Sequence, residues 1–109
     1  METFNEEQNA LKYGAKDVDL ISQLFDISER VGIIFCIGNA MKYYKRYHSN
    51  SQKAKNPTDL QKISDYLDRA RQGSTNEIYI YAINEISFII AMDFNGFEEH
   101  CKLLITKLK

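Results

Sequence analysis

Phe35-Cys-Ile-Gly-Asn-Ala-Met-Lys-Tyr-Tyr-Lys-Arg-Tyr47 and, one polar loop later, Asp59-Leu-Gln-Lys-Ile-Ser-Asp-Tyr-Leu-Asp-Arg69 decide how this chain folds. Both stretches repeat at helical spacing. Around the first, Ile34, Ile37, Met41 and Tyr44 recur at steps of three, four and three, an apolar stripe on one side. In the second, Leu60, Ile63, Leu67 and Ala70 recur in the same way, with Tyr66 at the edge. Each stretch also carries a polar edge. Asn39, Lys42 and Arg46 form one, Asp59, Lys62 and Tyr66 the other, both at i, i+3, i+7. Between them His48 to Asn56, rich in Ser, Asn and Lys, is expected as an exposed loop. The two stretches therefore predict a helix–loop–helix hairpin.

Working outward, one proline and five glycines leave few breakers, which favours helices throughout. Ile78-Tyr-Ile-Tyr81 is the only strand-like tetrapeptide, and its surroundings repeat at helical spacing. The expected fold is all-α, a compact bundle of four to five helices around the central hairpin. Residues 1–16 form a polar lead expected to be flexible, and residues 17–109 a single helical domain. A first helix is expected from Asp17 to Ser28, with Leu20, Leu24 and Ile27 inward and Asp17 and Asp19 at its positive end. The next runs from Arg30 to Tyr47, continuous with the first or broken near Gly32. The third starts at Asn56-Pro57, or at Thr58 with Gln61 closing a capping box, and stops at Gly73. Ser74 with Glu77 predicts the start of a fourth, running to about Asp93 with Ile78, Ala82, Ile86, Ile89 and Ile90 inward. Asn95 with Glu98 predicts a fifth, with Cys101, Leu104, Ile105 and Leu108 inward.

A length of 109 residues implies one domain. Its net charge of −1 hides a local imbalance. Seven acids face three bases from Met1 to Arg30, whereas six bases face one acid from Lys42 to Lys62. A basic patch on a near-neutral molecule suits a small anion better than a long polyanion. No nucleic-acid motif accompanies it, so nucleic acid is not the expected partner. Cys36 and Cys101 lack a Cys-x-x-Cys context and His48 and His100 stand apart, which predicts reduced buried thiols and no structural zinc. No basic-then-apolar leader opens the sequence. The longest nearly apolar run, Ile78 to Met92, is interrupted by Asn84 and Glu85 and is too short for a bilayer. The expected compartment is the cytoplasm, with no membrane partner.

The polar edges carry what chemistry there is. Lys42 and Arg46 lie one turn apart and repel by a few tenths of a kcal/mol. An anion between them removes that cost, and Arg46 can hold a phosphate bidentately. The plainer alternative is that both are solvated or pair with an acid such as Asp59. Asp59 can fix one of these cations, hold a divalent metal, or serve its own helix N-terminus. Tyr66 can stack on a base or pack between the helices. Gly38, costing roughly 0.5–1 kcal/mol against alanine in a helix, permits a close approach to the backbone.

The string Gly38-Asn39-x-x-Lys42-Tyr43-x-x-Arg46, followed by Asp59-Leu60-x-Lys62-x-x-x-Tyr66-Leu67-x-Arg69, resembles the core signature of a small phage-borne family. Most of that family has no known function, but it includes the nucleotide kinase of T7-type bacteriophages. The resemblance implies a deoxynucleoside monophosphate kinase without a P-loop, acting on dTMP and dGMP with ATP and Mg2+, in the host cytoplasm if phage-encoded. It implies catalytic roles for Lys42, Arg46 and Asp59, and nucleotide contacts for Asn39, Tyr43, Lys62 and Tyr66. A domain this small would hardly enclose two nucleotides, so such a kinase is expected to be a homo-oligomer with its site at a subunit interface. The chain departs from the family in three places. Lys12-Tyr13 stands where a His-Tyr pair is usual, the loop before Asp59 is longer, and the segment after Gly73 has no counterpart. The competing expectation is a non-catalytic protein that docks on a phage or host partner through its last two helices.

Overall fold

Ser28 divides the first two helices. In the computed structural model, which describes residues 15–49 and 56–109 (side chains from Leu20 onward), α1 spans Ala15–Ile27 and α2 spans Glu29–Ser49. The Ser28 N–H still donates to Leu24 O at 2.9 Å, and the Gly32 N–H donates to Ser28 O at 3.0 Å. Ser28 Oγ accepts from the Val31 N–H at 3.4 Å, as an N-cap serine does. The break is thus four residues before Gly32 and is made by a cap. The flexible lead expected at residues 1–16 lies outside the described residues except for Ala15 and Lys16, which are helical.

The remaining helices are α3, Pro57–Gly73, α4, Glu77–Ile90, and α5, Phe97–Leu108, with no strand among the described residues. The fold is an all-α bundle. Its hub is α2, which packs against α1, α3 and α5, while α4 bridges α3 and α5. The inward face of α2 is Ile33, Cys36, Ile37 and Ala40, with Ile34, Met41 and Tyr44 half-buried beside it. Ile63, Tyr66, Leu67 and Ala70 of α3 meet that face. Cys101, Leu104 and Leu108 of α5 complete the core, and Ile105 is half-buried. Both cysteines are free, and burial pushes each thiol up to about 12.

Helix α1 enters one residue off the expected stripe. Ile21 is fully buried, whereas Leu20 is exposed and Ile27 is 75 % exposed. Two adjacent apolar stripes fit its periodicity equally well, and tertiary fit selects between them. The Phe25 ring lies against two glycines. A Cβ at Gly32 would stand 2.5 Å from its Cγ, and one at Gly73 would stand 2.6 Å from its Cε1. No real side-chain atom could occupy either place, so α1, the start of α2 and the end of α3 meet only because both positions lack a side chain. Gly38 is different: among the described residues no atom lies within 4 Å of a Cβ placed there.

At α3 the Asn56-Pro57 start is observed. Asn56 Oδ1 accepts from the Thr58 N–H at 2.9 Å and Pro57 fills the first helical position. The expected loop begins later than His48, because α2 continues through Ser49; residues 50–55 lie outside the described residues. Ser74 does not cap α4. It is buried, and its Oγ donates to Ala70 O at 2.7 Å. Asn76 is the cap, accepting from the Ile78 N–H at 2.8 Å. Glu29, at the start of α2, reaches across to accept from the Thr75 N–H at 2.7 Å and the Asn76 N–H at 3.0 Å. A carboxylate thus sits just ahead of the α4 N-terminus, where its charge suits the helix dipole.

The buried side of α4 is Ile83, Ile86 and Ile89, while Ile78 points to solvent. The helix is apolar on nearly every side, so periodicity alone does not choose its inner face. It ends at Ile90 rather than Asp93. The Asp93 N–H donates to Ile90 O and the Phe94 N–H to Ile89 O, the bond pattern of a Schellman ending. Asp93 and Phe94 both have left-handed backbones (φ 60° and 61°), a strained choice for residues with side chains. Burial of the Phe94 ring against Tyr44, His48 and Phe97, with centroids 5.0–5.4 Å away, offsets that strain. Consequently Asn95 is not a cap; Gly96 (φ 81°) precedes α5 and no side chain caps it.

Two outcomes follow from these contacts. Gly32→Ala should destabilise the protein by about 1–3 kcal/mol in chemical denaturation, as overpacking does. Trimming the ring with Phe25→Leu in the same chain should recover part of that loss, measured as a double-mutant cycle. Hydrogen bonds from the Asn76 and Thr75 backbones hold the Glu29 carboxyl below its ordinary value of 4.5. Its clamp therefore stabilises fully above that unfolded value and is lost as pH falls through the lower folded one. Glu29→Gln should lower stability at pH 7 by about 1 kcal/mol and reduce the difference in melting temperature between pH 7 and the acid limb.

Candidate functional site

The two polar edges of the hairpin meet around one tyrosine. Tyr43 projects from α2 toward α3, and its ring stacks on that of Tyr66 with centroids 6.0 Å apart and planes 16° apart. Tyr66 is buried beneath it, while Tyr43 is half-buried. Three cations surround the Tyr43 ring. Lys42 Nζ lies 4.8 Å from the centroid, Arg46 Cζ 5.2 Å and Lys62 Nζ 5.9 Å, all within cation–π range. Two of these come from α2 and one from α3, so only the folded hairpin assembles them.

Asp59 anchors the arrangement. It sits in the first turn of α3, its side chain is almost wholly buried, and Arg46 Nη2 approaches its Oδ1 at 3.5 Å. The Arg46 side chain is 57 % exposed, so it meets the acid while much of its length stays in solvent. Asn39 is less available. Its Nδ2 donates to Phe35 O at 2.9 Å in the preceding turn of its own helix, which leaves the amide oxygen for a ligand. All seven expected site residues thus lie on the two helices of one hairpin. Lys42, Tyr43, Arg46, Asp59, Lys62 and Tyr66 form a connected group, and Asn39 is turned back on its helix.

Sequence reasoning passed over Asp65. This carboxylate is as buried as Asp59, and its Oδ1 accepts from Gln61 Nε2 at 2.9 Å. Its position on the inner side of α3 beside Tyr66 was the available signal, but a charged residue inside an otherwise apolar stripe reads as an interruption. The weight carried by Tyr43 was also hidden. Lys one residue before it and Arg three residues after it are local, but Lys62 reaches it only across the hairpin. Among the described residues no group of three or more His, Cys, Asp or Glu is placed to hold a metal ion. Asp59 is the one carboxylate of this group and it faces Arg46.

Residues 8–68 match a family model described as "Protein of unknown function (DUF3310)". The chain belongs to this family. The matched segment holds every residue of the Tyr43 group and stops within α3, so α4 and α5 lie beyond it. No curated protein and no solved structure matches the chain.

The burial pattern separates the structural members of this DUF3310 hairpin from those available to a ligand. Removing the buried ring with Tyr66→Ala should cost about 3–5 kcal/mol. Arg46→Met, breaking a pair whose cation is mostly in solvent, should cost less than about 1 kcal/mol. Urea titrations of the two variants check both values.

Proposed function

We propose that this protein binds a nucleotide, with its phosphate held by Lys42, Arg46 and Lys62 at the rim of the hairpin. The observation that carries this reading is the convergence of three cations from two helices on the single Tyr43 ring. Like charges placed around one ring repel, and an anion among them lowers that cost. A phosphate dianion accepts from all three at once, and the exposed side of Arg46 offers it a two-pronged contact. Tyr43 lies at the centre of the group, where its ring can take the sugar or base.

The resemblance to the phage nucleotide kinases narrows the ligand to deoxynucleoside monophosphates, dTMP and dGMP first. It also makes phosphoryl transfer from ATP with Mg2+ the activity to examine. Such transfer depends on positioning and on neutralising charge around the moving phosphoryl group more than on a covalent partner from the protein. Lys42, Arg46 and Lys62 are suited to that task, and Asp59 holds Arg46 in place for it.

A second reading has an observation of its own. The outer side of α4 exposes Ile78, Tyr81, Phe88 and Met92, as a non-catalytic docking protein would. None of the cations lies on that helix, so the two readings part on a single variant.

Millimolar dTMP or dGMP should raise the melting temperature of the wild-type chain, and Arg46→Ala should abolish the shift while leaving the unliganded melting temperature nearly unchanged. A phosphoryl-transfer assay with ATP and Mg2+ then distinguishes a kinase from a binding protein. No shift with any nucleotide would remove the nucleotide reading and leave the docking one.

A further inference from the structure

The outward side of α4 carries Ile78, Tyr81, Glu85, Phe88 and, just past the helix end, Met92, at steps of three, four, three and four. That is the spacing of a seam between two helices. Its apolar members are between 55 % and 70 % exposed, whereas Ile83, Ile86 and Ile89 on the other side fill the core. Tyr81, Glu85, Phe88 and Met92 also line one open groove of about 460 Å³.

The seam is symmetric in chemistry about Glu85. Reading outward in either direction gives an aromatic ring and then an aliphatic side chain, Ile78, or a thioether, Met92. A second copy laid antiparallel, with a two-fold axis at Glu85, sets Ile78 against the second Met92 and Tyr81 against the second Phe88. An isologous contact needs this kind of self-complementarity. The area also suits a dimer. Leu103 of α5 is 63 % exposed and lines a smaller groove that shares Glu85 with the seam. Five such side chains, at roughly 200 Å² apiece and near two-thirds exposure, offer on the order of 600 Å². Two copies would bury about 1,200 Å², the lower bound for a specific interface.

We propose that this protein self-associates as a two-fold dimer through an antiparallel pairing of α4, centred on Glu85. The pairing brings two like carboxylates together at its middle, which weakens an otherwise apolar contact and keeps the dimer reversible. The same carboxylate gives the register a signature. Glu85→Gln removes the repulsion and should tighten the dimer by about tenfold, whereas a partner protein with a cation opposite Glu85 predicts no gain in self-association.

Sedimentation equilibrium of the full chain over roughly 1–500 µM tests this, bracketing the affinity of an interface this small. The expected result is a concentration-dependent monomer–dimer equilibrium that Phe88→Glu shifts to monomer and Glu85→Gln shifts to dimer. Phe88 and Glu85 are both exposed, so circular dichroism should show folded helices in both variants. A monomer throughout the range overturns the proposal. So does a dimer indifferent to Phe88→Glu, which would lie on another surface, or one weakened by Glu85→Gln, which would have a different register.

Discussion

The slot that Gly32 and Gly73 leave for the Phe25 ring is the constraint on which the rest of the bundle depends. One side chain fixes three backbone segments at once: the end of α1, the start of α2 and the end of α3. With those ends fixed, the hairpin axes have little freedom, and their facing edges come into register along their length. Glu29 adds a polar link at the same end of the molecule by bonding the Thr75 and Asn76 N–H groups. The hairpin is therefore held at its open end, away from its loop, by steric fit and a carboxylate, far along α2 from the cations at Lys42 and Arg46.

This arrangement separates stability from chemistry. Ile37, Ala40, Ile63 and Leu67 are sealed in the core, while Lys42, Arg46 and Lys62 reach out from the same two helices. Tyr43 and Tyr66 lie at the boundary, one ring half in solvent and one beneath it. A rigid floor under a charged rim is what the proposed anion binding would use, because cations that must be gathered at binding lose affinity to the ordering of their long side chains. Asp59 contributes by meeting Arg46 from the buried side, while the Arg46 side chain stays largely exposed.

Much of this could be read from the amino acids, and the failures share a cause. The hairpin, the Asn56-Pro57 start and the Cys101-Leu104-Leu108 stripe of α5 were legible because each is set by local periodicity or capping. The inner face of α1 was not, and that of α4 was legible in Ile86 and Ile89 but not in Ile78, which is exposed, or Ile83, which is buried. Both helices offer more than one apolar stripe, and only contact with another element decides between them. The Ser74 and Asn95 caps failed for a similar reason. Ser74 is drawn into a bond to Ala70, and burial of the Phe94 ring sets the path before α5. At the candidate site, residue types and edges were readable, but the convergence of Lys62 with Lys42 and Arg46 on Tyr43 exists only across the hairpin.

The return of α5 to α2 has a bearing on how the molecule comes into being. Most neighbouring helices in this bundle are neighbours in sequence, so they can dock in turn as they leave the ribosome. The α2–α5 contact joins helices far apart in sequence, and it closes around Tyr44, Phe94 and Phe97. Until residues 97–108 emerge, that aromatic flank of α2 stays wet, and a nascent chain stalled before them would display it to whatever chaperone or neighbour is at hand.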